Sequence, residues 1–238
     1  MKKNKIVMSV ISGLLVAAVA VGGTLAYLSD KSNVVTNTFN VGDGYIDDGE
    51  HTGLWLDETK VTTPLEEEPS TENRYDEDNG TQLYPDLLPG TQFAKDPTFH
   101  LTEGSVDSYV IAKVSGVDVA ENTGSYIFKD SEKNAGFNKT WKKVANADGT
   151  IIGGDVANDG NKDGYYLFVD AETQVAEIIS GGQDTDDIFT YVQLDTDVTD
   201  LAASNGLSVT IQGVAVQESN VDEATAIATA IGVFNPGE

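Results

Sequence analysis

The only imidazoles in this chain of 238 residues are His51, in GEHTGLW, and His100, in PTFHLTE, and there is no cysteine. Zinc hydrolysis of the usual helical kind needs two histidines one turn apart with a glutamate between them. Both rings then meet one metal and the carboxylate activates its water. His51 and His100 stand far apart in the chain, so only tertiary structure could bring them together with Glu50 or Glu103. Lone histidines are more often surface or turn residues. No G-x-S-x-G elbow occurs, and the lack of cysteine removes thiolate nucleophiles. The expectation is a protein that is not an enzyme, with no catalytic residue and no bound cofactor.

One further segment invites a metal. DVANDGNKDGYY, residues 155–166, resembles a calcium loop, with Asp155, Asp159 and Asp163 as oxygen donors and Gly160 at the sharp turn. Calcium also needs an oxygen donor at the third position and a bidentate glutamate at the twelfth, where the chain has Ala157 and Tyr166. A pair of β-turns is the better reading, with weak calcium binding by Asp155, Asp159 and Asp163 as the alternative. The two tryptophans, Trp55 and Trp141, are isolated in the sequence, as suited to a core as to a sugar-binding platform.

The elements that would carry such groups begin behind a leader. Residues 1–5 hold three lysines, and residues 6–21 form an uncharged apolar run, short for a membrane span of about 20 residues. Thr24-Leu25-Ala26 places small residues where a signal peptidase grips the chain, so residues 1–26 read as a signal peptide helix and Tyr27 as the mature N-terminus. An uncleaved anchor over residues 6–28 is the competing reading. Residues 27–238 are then enough for a single domain, exported without disulfides and with no stable membrane anchor after cleavage.

Charge narrows the partners. The chain has 39 acidic and 14 basic residues; with the three leader lysines gone, 39 against 11 leaves 28 excess negative charges. Nucleic acid and anionic membrane are poor partners for such a surface, while salt, acid and divalent cations should act on it strongly. Residues 61–82 hold seven carboxylates, two prolines and one arginine with few apolar groups, and read as an acidic disordered insertion loop.

Elsewhere the apolar pattern has the period of strands. Tyr109 to Val114, Tyr165 to Val169, Ile188 to Val192 and Leu207 to Gln212 are short β-branched and aromatic runs. Turn chemistry separates them: Pro89-Gly90, NADGT at residues 146–150 and NDGNKDG at residues 158–164. Pro97 forces Asp96 into an extended conformation and removes a ladder donor, which suits an edge strand or a strand start. One helix is expected near the C-terminus, capped by Asn220 with Glu223 reaching back, and carrying Ala224, Ile227, Ala228 and Ile231 as a stripe against the sheet edge. Directly behind the leader, Val35, Asn37, Phe39 and Val41 alternate with Val34, Thr36, Thr38 and Asn40 as in a border strand. The fold class is all-β, a jelly-roll-like β-sandwich with one short C-terminal helix.

GGTLAYLSD with NTFNVG resembles the leader and first mature strand of the TasA- and camelysin-like proteins of Gram-positive bacteria. LLPGTQFAKDPTFHLTEGSVDSYVIAKV from Leu87 and LSVTIQGVAVQESNVDEA from Leu207 are similar to further segments of that family. The acidic segment and parts of residues 120–164 have no counterpart in it. The resemblance implies cleavage by a SipW-type signal peptidase, localisation to the extracellular matrix or cell surface of a Gram-positive bacterium, and a role as a structural subunit of biofilm matrix fibres. Its implied partners are the peptidase, further copies of the same chain, and a related minor fibre subunit. It also brings one alternative into view, a camelysin-like metalloendopeptidase, and the same sandwich would equally suit a monomeric surface module that binds calcium or carbohydrate.

Overall fold

The computed structural model describes residues 29–31, 44–62, 65–76, 82, 84, 87–122, 126–153, 162–198 and 208–236. The elements in chain order are β1 (Ser29–Lys31), β2 (Leu54–Thr59), β3 (Arg74–Asp76), β4 (Gln92–Ala94), β5 (Thr98–Leu101), β6 (Ser108–Ser115), α1 (Val117–Asn122), β7 (Tyr126–Lys129), β8 (Trp141–Asn146), β9 (Gly164–Phe168), β10 (Tyr191–Leu194), β11 (Thr210–Gln217) and α2 (Glu223–Phe234). The strands form three antiparallel sheets among the described residues: β1-β11-β6-β9-β8, β4-β10-β7 and β3-β2-β5. This is an all-β sandwich with a short C-terminal helix.

The five-stranded sheet is the middle layer, because its central strands are apolar on both faces. Val110, Ala112 and Val114 of β6 join Tyr166 and Phe168 of β9 and Ile211 and Ala215 of β11 in one core, together with Leu54, Leu56, Phe93, Phe99, Phe128 and Val192 from the two smaller sheets. The alternate residues Tyr109, Ile111, Tyr165, Leu167, Val214 and Val216 face the other way and meet Ala226, Ile227, Ala230 and Phe234 of α2. A strand period of two thus sorts one sheet into two cores. At Gly213 the layers approach closely. A Cβ there would lie 2.7 Å from Cδ1 of Phe99 and 2.8 Å from Cδ2 of Leu54.

Strands expected at Tyr109 and Tyr165 form β6 and β9. The run from Ile188 enters its strand only at Tyr191, with Ile188 and Phe189 buried ahead of it. The last run is ordered as β11 from Thr210, and Leu207 lies outside the described residues. Pro97 directly precedes β5, a border strand of its sheet. Pro89-Gly90 makes the expected turn: the Thr91 N–H donates to the Leu88 carbonyl (2.9 Å) and Gly90 takes φ +86°.

Three expectations are corrected. The helix cap is Asp222, not Asn220: the Asp222 carboxylate accepts the Thr225 N–H at 2.8 Å, while Asn220 sits at φ +62° in the preceding turn. The buried face is correspondingly rotated to Ala226, Ile227, Ala230 and Phe234, with Ala224 and Ala228 exposed. This face lies over the flat of the sheet, against β6 and β11, rather than on its edge.

The third correction concerns residues 61–82, which are not a plain loop: they contain β3, paired with β2. Its described residues are pinned at several points between Glu66 and Asn73. The Ala94 N–H donates to the Glu66 carbonyl (3.0 Å), the Tyr191 hydroxyl to the Glu68 carboxylate (2.9 Å), the Ser70 N–H to the Thr59 hydroxyl (2.8 Å) and the Lys60 N–H to the Asn73 carbonyl (2.9 Å). Composition alone misreads it because its order comes from polar anchors on neighbouring strands rather than from apolar groups of its own.

Candidate functional site

The border of the middle sheet is the place where chain order and sheet order meet. β1 pairs antiparallel with β11, Ser29 opposite Val216, Asp30 opposite Ala215 and Lys31 opposite Val214. β11 is anchored on its other side by eight residue pairs to β6, and Val214, Ala215 and Val216 are fully buried. Among the described residues β1 therefore joins a buried, apolar strand through three residue pairs. Its residue types, serine, aspartate and lysine, have low strand propensity except where packing compensates. A border strand has one neighbour instead of two, which makes it easier to open than the strands inside a sheet.

The leader residues Thr24, Ala26 and Tyr27, and the expected assembly strand Val35, Asn37, Phe39 and Val41, lie outside the described residues. The strand found immediately behind the expected cleavage position is the one at Ser29–Lys31.

The histidines are brought together, with a tryptophan between them. Trp55 and His100 are directly opposite on β2 and β5, and their rings stack with centroids 4.1 Å apart. His51, in the bend before β2, covers the other indole face at 3.9 Å and 8° between planes. Two imidazoles on opposite faces of one indole cannot both reach a metal at about 2.1 Å. Glu50 is exposed, its N–H donating to Asp48, and Glu103 is exposed beside Gly182, so neither stands between the two rings. Trp141 is buried in the main core, with its indole N–H donating to the Asp186 carbonyl (2.9 Å). Trp55 is sandwiched rather than presented as an open platform.

Around His100 lies a polar cluster that the linear sequence hides. Its Nε2 is 2.9 Å from Oδ1 of Asp57 and its Nδ1 2.7 Å from Oδ1 of Asp184. Arg74, the chain's single arginine, binds that same Asp57 oxygen and also the carboxylate and carbonyl of Asp96. Asp96 in turn accepts the Thr59 N–H at 2.7 Å. Alongside, Lys95 pairs with the buried Glu58, which also accepts from the Gln82 amide. Burial alone would raise the Asp57 carboxyl, but the bonds and charges of His100 and Arg74 outweigh it and hold the group below the usual carboxylate range. A lone arginine inside an acidic run was the one sequence signal of this cluster.

The calcium reading finds Asp163 otherwise employed. Its carboxylate accepts the N–H groups of Gly116 (3.0 Å), Val117 (2.8 Å) and Asp118 (3.2 Å), closing the start of α1. Asp155 and Asp159 lie outside the described residues. Among the described residues no cluster of three or more histidine or carboxylate groups is arranged to hold a metal.

Comparison with models of protein families, with curated proteins and with solved structures gives no match for this chain.

Proposed function

We propose that the protein is a secreted structural subunit of extracellular matrix fibres of a Gram-positive bacterium, assembling head to tail by exchange of its N-terminal strand. The observation that carries this reading is the border position of β1 among the described residues, next to the expected cleavage site after Ala26 and paired with the buried β11 through Ser29, Asp30 and Lys31. While the leader holds the N-terminus at the membrane, the strand stays with its own domain. Cleavage by a SipW-type signal peptidase frees it to pair with the β11 of a neighbour, where backbone hydrogen bonds supply affinity and alternating side chains supply register. Each subunit then gives a strand on one side and accepts one on the other. A contact of this kind does not close on itself, so it propagates a filament. The resemblance to TasA-like proteins supports the same role, and the alternation in the sequence makes Val35, Asn37, Phe39 and Val41 the mostly apolar side of the exchanged segment. It also suggests a related minor fibre subunit as a further partner. The function requires no cofactor and no catalytic residue.

Negative-stain microscopy of protein beginning at Tyr27, compared with protein lacking residues 27–38, tests this reading. The first should form filaments, the second should remain folded and monomeric, and a peptide of residues 27–38 should bind the second and cap growth of the first. Filaments at the normal rate from the truncated protein would sink strand exchange. Persistent monomers from the Tyr27 form would favour a surface binding module.

A further inference from the structure

Both ring nitrogens of His100 face carboxylates, Nε2 that of Asp57 and Nδ1 that of Asp184. A neutral imidazole has one N–H and one bare lone pair, so it can donate to one of these oxygens and must oppose the other lone pair to lone pair. Only the imidazolium donates to both. We propose that His100 is a proton-operated clamp: charged, it ties residues 180–185 to the border strand β5, and on losing its proton it loosens them.

The two carboxylates are not equivalent. Asp57 is buried and already held by Arg74, whereas the Asp184 side chain is 59% exposed and can turn to water. Asp184 is therefore the partner released. What it guards is a strand edge. The Leu101 N–H donates to the Gln183 carbonyl (3.0 Å), the Gly182 N–H to the Leu101 carbonyl (2.7 Å) and the Thr185 N–H to the Phe99 carbonyl (2.9 Å), so residues 182–185 cover the outer backbone of β5. An uncovered border strand is a template for pairing with another chain.

The charged groups around the ring favour the imidazolium. β2 contributes Asp57, the 180–185 segment Asp184, and β3 the opposing Arg74, which Asp57 and Asp96 together neutralise. The bend before β2 contributes His51 on the far face of Trp55, with the Asp48 carboxylate accepting the backbone N–H of His51. The indole face adds a cation–π contact to the charged ring. Burial works against the charge, but Asp57 first and Asp184 second outweigh it, raising the His100 pKa above its ordinary value. With the folded value raised, the clamp is fully engaged below the unfolded value of about 6.5 and is lost as pH climbs through the folded one.

The test is NMR of the full chain from pH 5.5 to 9, reading the His100 ring shifts and the amide protection factors of Leu101 and Thr185. His100 should titrate above about 6.5, and protection of both amides should fall several-fold across that transition. Asp184→Asn should lower the His100 midpoint and flatten the pH dependence of protection, and His100→Gln should abolish that dependence. If the second variant does not fold, the first still decides, since its substitution is at an exposed side chain. A His100 midpoint at or below the ordinary value, or protection factors unchanged across it, would overturn the clamp.

Discussion

Asp118 and Asp163 close each other's segments: Asp163 accepts the N–H groups of Gly116, Val117 and Asp118, and Asp118 accepts those of Lys162 (2.6 Å) and Asp163 (2.9 Å). This reciprocal cap joins the start of α1 to the start of β9. Asp163→Ala should lower stability by about 1–2 kcal/mol, as for the loss of a helix cap. Urea unfolding monitored by far-UV circular dichroism measures it. An unchanged midpoint would mean that water replaces all three bonds.

Arg74 is the single cation between Asp57 and Asp96, both almost fully buried. Arg74→Met should destabilise by about 3–5 kcal/mol, because it leaves the buried Asp96 carboxylate without its cation and Asp57 with His100 alone. Additional substitution of Asp57 and Asp96 by Asn should recover part of the loss, and a double-mutant cycle by thermal unfolding reads that recovery.

The acid limb of stability follows from the same cluster. Asp57 has a depressed folded pKa, so its contribution is present above the unfolded value of about 3.9 and is lost as pH falls through the folded one. Asp57→Asn should flatten the decline in thermal midpoint below pH 4 relative to the parent. A parallel decline in both would place the acid sensitivity elsewhere.

Gly213→Ala should destabilise by about 1–3 kcal/mol, since its Cβ would enter the space of Phe99 and Leu54, both buried between the two layers. Phe99→Leu in the same chain should relieve part of the strain. Calorimetry of the three variants compares them directly.

With residues 1–26 removed as proposed, association should strengthen towards the pI and with divalent cations, because the 28 excess negative charges that remain must be neutralised or screened before copies approach. Light scattering from neutral pH to about 4, and with calcium at constant ionic strength, should rise in both series. A flat response would count against electrostatic control of assembly.

Sequence alone determined the all-β class, β6, β9 and much of β11, and the Pro89-Gly90 turn, because period-two apolar patterning and turn residues act locally. It did not disclose β2. LWLDET breaks its pattern with Asp57 and Glu58, which are buried only because Arg74, His100, Lys95 and Gln82 reach them from distant parts of the chain. The C-terminal helix was legible but its cap was not: Asn220 and Asp222 are both good caps by type, and the turn after β11 decides which one faces the free amides. Likewise the histidine pair was visible as two distant residues. Its sandwich around Trp55, and the use of both His100 nitrogens, exist only because antiparallel pairing sets β5 beside β2 and the 180–185 segment beside β5. Local chemistry writes the strands and turns into the sequence; which polar group meets which is a long-range matter of register, and tertiary structure alone fixes it.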